Sequence, residues 1–259
     1  MKSNWVKTTL QACTTVLGDG LHGTPKYDSA GDYYFINGNN LANGKIILKS
    51  DTRRVGISEY EKYKKPLGNR SILVSINGTL GNVGTYNGEN VVLGKSACYF
   101  NVSEDYDVNF IKYVVSSADF KQYLNSAATG TTIKNISLKQ MREYEFYIPP
   151  ITEQIKISKI LSKIDEKISL NQKINDNLEQ QVLALYRNRF VDNPNGNRII
   201  CRADEYFDIS IGKTPPRKEP QWFSQNHDDI TWVSIADMGS CGLFIKQTRL
   251  SLLKLLLEY

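Results

Sequence analysis

The chain has 259 residues, of which 41% are hydrophobic and 23% charged, with a formal net charge of +5. That composition is of a globular protein of one or two domains, and no apolar run approaches the roughly 18 residues of a membrane-crossing helix. The N-terminal run MKSNWVKTTLQACTTV lacks a signal-peptide core. Cys13, Cys98, Cys201 and Cys241 form no CxxC pair and have only His22 and His227 beside them, which argues against a zinc site or disulfide framework and for reduced thiols in the cytoplasm.

Residues 1–150 read as a mixed domain of short strands and few helices. Gly18–Gly20 and Gly23-Thr24-Pro25 are turn clusters. Asp32–Ile36 is a strand by its aromatic content, ended by a polar turn at Asn37–Asn40. Gly44–Leu48 is a further strand and Ser58–Lys65 a short charged helix. Ser71–Ile76 is a buried strand, and Asn77-Gly78 signals a tight hairpin into Thr79–Tyr86. Asn90–Leu93 and Ala97–Val102 are strands. Asn109–Asn125 is expected to be one helix, with Phe110, Tyr113, Val114, Ser117, Phe120 and Leu124 on helical spacing. A Gly-Thr-Thr loop at 130–132 leads through Ser137–Met141 to the strand Tyr144–Ile148.

Pro149-Pro150 launches the longest element, Ile151–Val191, which contains neither Gly nor Pro. Thr152 is the expected N-cap, with Glu153 in the first turn. At 1.5 Å per residue this is a rod of roughly 60 Å. Ile157, Leu161, Ile164, Ile168, Leu178, Val182 and Leu185 fall on alternating four- and three-residue steps, with Asn171 and Asn175 in the two gaps. Ile160 and Ile174 widen the stripe. This is a coiled-coil seam whose Asn positions fix register, and a single helix cannot bury it.

Asn193–Asn197 is a linker, after which the start of the chain is echoed. Gly23-Thr24-Pro25 returns as Gly212-Lys213-Thr214-Pro215, and Tyr34–Leu41 as Thr231–Met238. Nothing answers Ser71–Ile148, and the chain ends in the Leu-rich run Leu250–Tyr259. The organisation read here is a mixed domain over 1–150, a long coiled-coil helix over 151–191, and the start of a second, truncated domain over 192–259. That last part is expected to be poorly ordered. The fold class is α+β.

Charge is unevenly spread: residues 1–150 carry 17 Lys and Arg against 13 Asp and Glu, whereas 192–259 carry 8 against 9. Lys45, Lys49, Arg53, Arg54, Lys62, Lys64, Lys65 and Arg70 face only Asp51, Glu59 and Glu61. Such a patch can neutralise phosphates or form a solvated face. Catalytic signatures are missing. Ile211–Thr214 resembles the end of a P-loop, but the required upstream Gly is Phe207 and Pro215-Pro216 blocks the helix. Gly78, Gly81 and Gly84 do not match a dinucleotide fingerprint. Two distant histidines argue against a nucleophile–His site.

Taken together, Gly130-Thr131-Thr132, Ile136-Ser137, Tyr144–Ile148, Pro149-Pro150, Glu153-Gln154, Ile157 and Ile160-Leu161 resemble the end of a target recognition domain joining its helix. The family is the specificity subunit of type I restriction–modification systems, and Gly78–Gly84 after an apolar strand is similar to it as well. The resemblance implies two recognition domains, each followed by a long helix, with the helices paired antiparallel as a spacer. It implies double-stranded DNA as ligand, modification subunits that bring S-adenosylmethionine, and a motor-nuclease subunit that uses ATP and Mg. This chain would bind no cofactor itself and have no catalysis of its own.

On that footing the expected phosphate contacts are Lys45, Lys49, Arg53, Arg54, Lys62, Lys64 and Lys65. The expected base-reading residues are Lys26, Tyr27, Asn77, Thr79, Thr131 and Lys134. With one long helix in place of two, the seam from Ile157 to Leu185 is expected to pair with a second copy. The alternatives from other classes are a non-DNA scaffold that recruits a partner through the helix, and a nuclease with an unrecognised site.

Overall fold

A computed structural model describes residues 4–130, 133–192 and 201–210, and beyond these only 218, 223–224, 230–231, 233 and 251–252. Contacts divide the chain into two units, Met1–Tyr186 and Arg187–Tyr259. The long helix, set apart in the sequence as its own segment, therefore groups with the domain of residues 1–150, the head.

In chain order the first unit has β1 (Val6–Thr9), β2 (Thr14–Asp19), β3 (Tyr33–Ile36), β4 (Leu41–Ala42), β5 (Gly44–Ile46) and β6 (Arg54–Val55). There follow α1 (Ile57–Tyr63), β7 (Ser71–Ser75), β8 (Val83–Thr85), β9 (Val91–Leu93) and β10 (Ala97–Val102). Then come α2 (Val108–Ser116), α3 (Ala118–Ala127), α4 (Leu138–Glu143), β11 (Glu145–Ile148) and α5 (Ile151–Tyr186). The main sheet runs β2-β10-β7-β8-β5-β4, a smaller one β6-β3-β9, and β1 pairs with β11.

Every residue of β7 is buried. Its alternation sends Ile72 and Val74 to one face, where Phe100, Phe110, Ile111, Val115, Phe120, Leu124 and Met141 form the larger core. Leu73 goes to the other, against Ile36, Leu41, Ile46, Leu93 and Tyr99. A strand covered on both faces reads as a continuous apolar run, and SILVSI is that run. The small sheet carries α1 on a third cluster of Phe35, Val55 and Val92 with Tyr33, Tyr60 and Tyr63.

Three expectations need correction. The single helix over Asn109–Asn125 is two, because the Ser117 backbone is extended and its side chain caps α3 by accepting from the Phe120 N–H. Asp107 caps α2 in the same way through Phe110. Helical spacing survives the break, so periodicity alone hides it. The tight Asn77-Gly78 hairpin is a longer connection, since β7 and β8 pair only from Val74↔Val83 outward; Gly78 and Gly81 supply positive φ within the loop. Thr152 is not the N-cap: α5 begins at Ile151, and the Pro150 carbonyl accepts from the Glu153 and Gln154 N–H groups.

The first turns of α5 are built into the head. Gln154 is buried; its Nε2 donates to the Pro149 carbonyl at 2.8 Å and its Oε1 accepts from the Asp107 N–H at 3.1 Å. Ser158 is buried beside it, and Ile157 packs on the larger core. Two turns on, Asp165 accepts from Tyr113 at 2.7 Å and pairs with Lys112 at 3.1 Å. Partial burial alone would raise the Asp165 carboxyl. The Tyr113 and Lys112 hydrogen bonds and the Lys112 charge outweigh that and hold it below its usual value.

Leu161 is half-buried, and from Ile164 outward the apolar seam of α5 faces solvent. Ile164, Ile168, Ile174, Leu178, Val182 and Leu185 are between 46% and 58% exposed. Asn171 and Asn175 are exposed among them. The helix continues as a π-helical turn, Arg187–Val191.

The second unit is described only in part: a 3-10 turn at Ala203–Glu205 and a sheet of two-residue strands, Phe223–Ser224, Ser251–Leu252 and Ile230–Thr231. The linker Asn193–Asn197, the echo at 212–215 and most of the 231–238 echo lie outside the described residues. Among the described residues Cys13, Cys98 and Cys201 are free.

Gln154 is the joint between head and helix. Gln154→Ala leaves the Asp107 N–H and Pro149 carbonyl unpaired and should lower unfolding free energy by about 1–3 kcal/mol, read as a fall in the urea midpoint by circular dichroism.

Candidate nucleic-acid interface

The loops at one end of the two sheets form a continuous hydrogen-bonded edge. At its centre is Asn40, which is buried. Its Oδ1 accepts from the Asn37 N–H at 3.0 Å, and its Nδ2 donates to the Ile47 carbonyl at 3.1 Å and to Thr52 Oγ1 at 3.3 Å. Thr52 Oγ1 in turn accepts from the Lys49 N–H at 2.8 Å, closing the Lys49–Thr52 turn.

On the other side, Asn37 Oδ1 accepts from Ser96 Oγ at 2.9 Å, and Ser96 Oγ accepts from the Gly38 N–H at 2.9 Å. Gly38 is required here, because a Cβ would meet the Ser75 Cβ at 2.6 Å. Ser75 Oγ accepts from the Asn82 N–H at 2.8 Å and donates to the Thr79 carbonyl at 2.6 Å. The Gly78 N–H reaches the Lys134 carbonyl at 2.9 Å, and Asn77 donates to Asn135 at 3.1 Å. The edge thus runs from the Lys49–Arg53 loop, through the Asn37–Asn40 turn and the β7–β8 loop, to Lys134-Asn135.

Between the Asn37–Asn40 turn and the Lys49–Arg53 loop lies an open cleft of about 260 Å³ lined by Tyr27, Phe35, Asn39, Lys49, Asp51 and Arg53, among others. A second depression, lined by Tyr27, Ser29, Ser50 and Arg54, adjoins it through shared residues. The Arg53 guanidinium lies 4.7 Å from the Tyr27 ring centre. Arg54 lies 4.8 Å from that of Tyr34 and donates to its hydroxyl at 2.9 Å. These rings hold the guanidinium planes without neutralising them.

The expected residues divide accordingly. Tyr27, Lys49 and Arg53 come together at the cleft, and Arg54 lines the depression that adjoins it. Lys26 is next to it, with its backbone N–H bonded to Glu59 of α1 at 3.0 Å. Asn77, Thr79 and Lys134 lie farther along the edge, with Lys134 Nζ on Asn125 at 3.1 Å. Thr131 lies outside the described residues.

Lys62, Lys64 and Lys65 belong to α1 and its end. Lys62 sits 4.9 Å from the Tyr63 ring centre. Lys64 is paired with Glu61 at 2.5 Å, and that carboxylate raises its pKa. Lys45 is inside the main sheet, opposite Ala42 and Thr85, and not on the loop edge.

Arg70, counted with the basic patch in the sequence, is a structural cation. It donates to the carbonyls of Val102 at 2.8 Å, Ser103 at 2.6 Å and Tyr106 at 2.6 Å. Sequence reasoning missed Asn37, Asn39, Asn40, Asp51 and Thr52 as parts of the site. The polar run Asn37–Asn40 was the available signal, read only as a turn.

A rigid polar edge bearing cations fits contact with a nucleic acid: phosphates for Lys and Arg, base edges for Asn, Asp and Arg. Comparison with known proteins points the same way. The family of type I restriction modification DNA specificity domains matches residues 20–180. A putative type I specificity subunit of Mycoplasma pneumoniae is 26% identical over 193 residues, which is 71% of this chain and 46% of that protein. The specificity subunit of the type I restriction enzyme MjaIX of Methanocaldococcus jannaschii is 30% identical over 83 residues, 32% of this chain and 19% of its own length. A solved structure concerned with complex assembly and conformational transition of the type I restriction–modification system has the same fold, with a TM-score of 0.52 at 15% identity, covering 71% of this chain and 44% of that one. The chain spans less than half the length of each of these relatives.

The two kinds of cation partner predict different outcomes for duplex DNA binding. Arg53→Ala should weaken binding to all sequences and reduce the salt slope by about one. Lys64→Ala, already paired with Glu61, should change the slope by much less. Fluorescence anisotropy across a salt series measures both.

Proposed function

This chain belongs to the type I restriction–modification DNA specificity family, and from that premise we propose that its head recognises a duplex DNA sequence on behalf of partner subunits. The observation that carries this reading is the loop edge around Asn40, which holds Lys49, Arg53 and Arg54 beside uncharged hydrogen-bonding side chains on a fixed backbone. Positioned cations supply affinity, and fixed polar groups at base edges supply discrimination. The non-DNA scaffold finds no support in the family match.

The chain contributes no chemistry of its own in this reading. Modification subunits bring S-adenosylmethionine and methylate adenine, and a motor-nuclease subunit brings ATP and Mg. The complex acts in the cytoplasm. In keeping with that, among the described residues no helix is long and apolar enough to cross a membrane. Cys13 and Cys98 are buried free thiols.

The exposed stripe of α5 takes a second copy. Full burial of one Val, Leu or Ile is worth roughly 1.5–3 kcal/mol, and the six such seam side chains from Ile164 to Leu185 are half-exposed. Isologous two-fold pairing would be centred near Asn171 and Asn175, where facing amides fix register. Ile157 is already used by the head, so the pairing seam begins beyond it. Two copies carry identical heads, so the target is an interrupted palindrome.

Methylome sequencing of cells carrying this chain with its modification subunit should yield methylation at one interrupted palindrome, and none without the chain. Unchanged methylation overturns the function. Sedimentation at micromolar concentration should give a dimer that Ile168→Asp with Leu178→Asp abolishes while the head keeps its circular dichroism. A strict monomer, alone and with the modification subunit, counts against the pairing.

A further inference from the structure

We propose that the cleft between the Asn37–Asn40 turn and the Lys49–Arg53 loop is where the head reads base edges, with Asp51 and Asn39 as its specificity-determining side chains. This rests on the DNA-recognition reading and deepens it. Asp51 is assigned to an exocyclic amino group, that of cytosine first, and Asn39 to adenine.

The cleft is preformed on both walls. The Lys49–Thr52 turn is closed by Thr52 Oγ1 on the Lys49 N–H at 2.8 Å and tied to the opposite wall by Asn40 at 3.3 Å. The turn across from it is held by Asn37, Asn40 and Ser96. The backbone that carries Asn39 and Asp51 is thus held in place before the ligand arrives, which discrimination between base edges requires.

Asp51 is the informative residue. It is exposed and lines the cleft with Lys49 and Arg53, yet no ion pair joins it to either among the described residues. A carboxylate at a surface that contacts only phosphates is a liability: two like charges 4 Å apart repel by about 1 kcal/mol even in water. It is favourable where it accepts from a donor. The donors in the major groove are the amino groups of cytosine and adenine, and a carboxylate accepting from cytosine N4 is an established pairing.

Asn39 completes the argument by elimination within its own turn. Both ends of the Asn40 amide and the Oδ1 of Asn37 are committed to holding the walls, so neither residue has a free oxygen–amine pair to offer a base. The exposed Asn39 side chain has no hydrogen bond among the described residues and faces the same cleft. An amide reads the N6 and N7 of adenine with two bonds. Arg53, parked on Tyr27, supplies the adjoining positive charge.

The test is selection from a randomised duplex library by the full chain with its modification subunit, followed by affinity and salt series on the enriched site. Asp51→Asn should lose preference at one position, with roughly 5- to 150-fold weaker binding to the wild-type site. Binding to unrelated duplex should be unchanged or tighter. Asn39→Ala should relax a different position by a similar factor. Both residues are exposed, so equal urea midpoints check that the variants fold. A wild-type chain that enriches no motif overturns the DNA-reading function and this assignment with it. A wild-type motif that both variants leave unchanged overturns this assignment alone.

Discussion

Ile72 and Val74 leave β7 on one face and Leu73 on the other, and none of them reaches water. A central strand covered in this way needs a layer on each side. The helices α2, α3 and α4 supply one, and the β3–β9 pair with the β4–β5 hairpin supplies the other. With both faces closed, polar groups can emerge only at the sheet ends. At the end where β3, β7 and β9 finish, the connecting loops meet, and the candidate interface forms there. Its position follows from the core.

Those loops are rigid because their own polar groups satisfy one another. Asn40 is buried and uses both its donor and acceptor atoms. Left unpaired, such an amide would cost about 1–3 kcal/mol, so the turn has one favourable arrangement. The joint at Gln154 works by the same physics at the other functional boundary: a buried amide with both ends committed fixes where α5 leaves the head. Fixed loops and a fixed helix exit together give the candidate interface a defined orientation on α5.

Strands were legible in the sequence where burial was one-dimensional. Ala97–Val102 is the strand expected, and SILVSI announces its two covered faces. Ile151–Val191 is continuous helix as read from its lack of breakers. The failures were at positions where a side chain redirects the backbone. Ser117 fits the helical stripe, yet its hydroxyl accepts from Phe120 and starts a new helix. Asn77-Gly78 carries the composition of a two-residue turn, but Ser75 and Asn82 bond across a wider loop. The candidate site is half-legible: charge and loop position mark Tyr27, Lys49 and Arg53, which the fold brings to one cleft. Asn40 and Thr52 are not marked in that way, since their role lies in a contact across twelve residues of chain.

Charge counting also overstated the basic surface, and the reason is the identity of each cation's partner. Arg70 spends its guanidinium on three backbone carbonyls, Lys112 on Asp165 and Lys64 on Glu61. A carboxylate partner cancels the field that would draw a phosphate. A tyrosine ring does not: it orients the cation through its quadrupole and leaves the net charge intact. Arg53 on Tyr27 and Arg54 on Tyr34 are therefore both directed and charged. In this head the tyrosines beside the arginines, more than the number of arginines, decide which part of a basic sequence keeps directed, uncancelled charge.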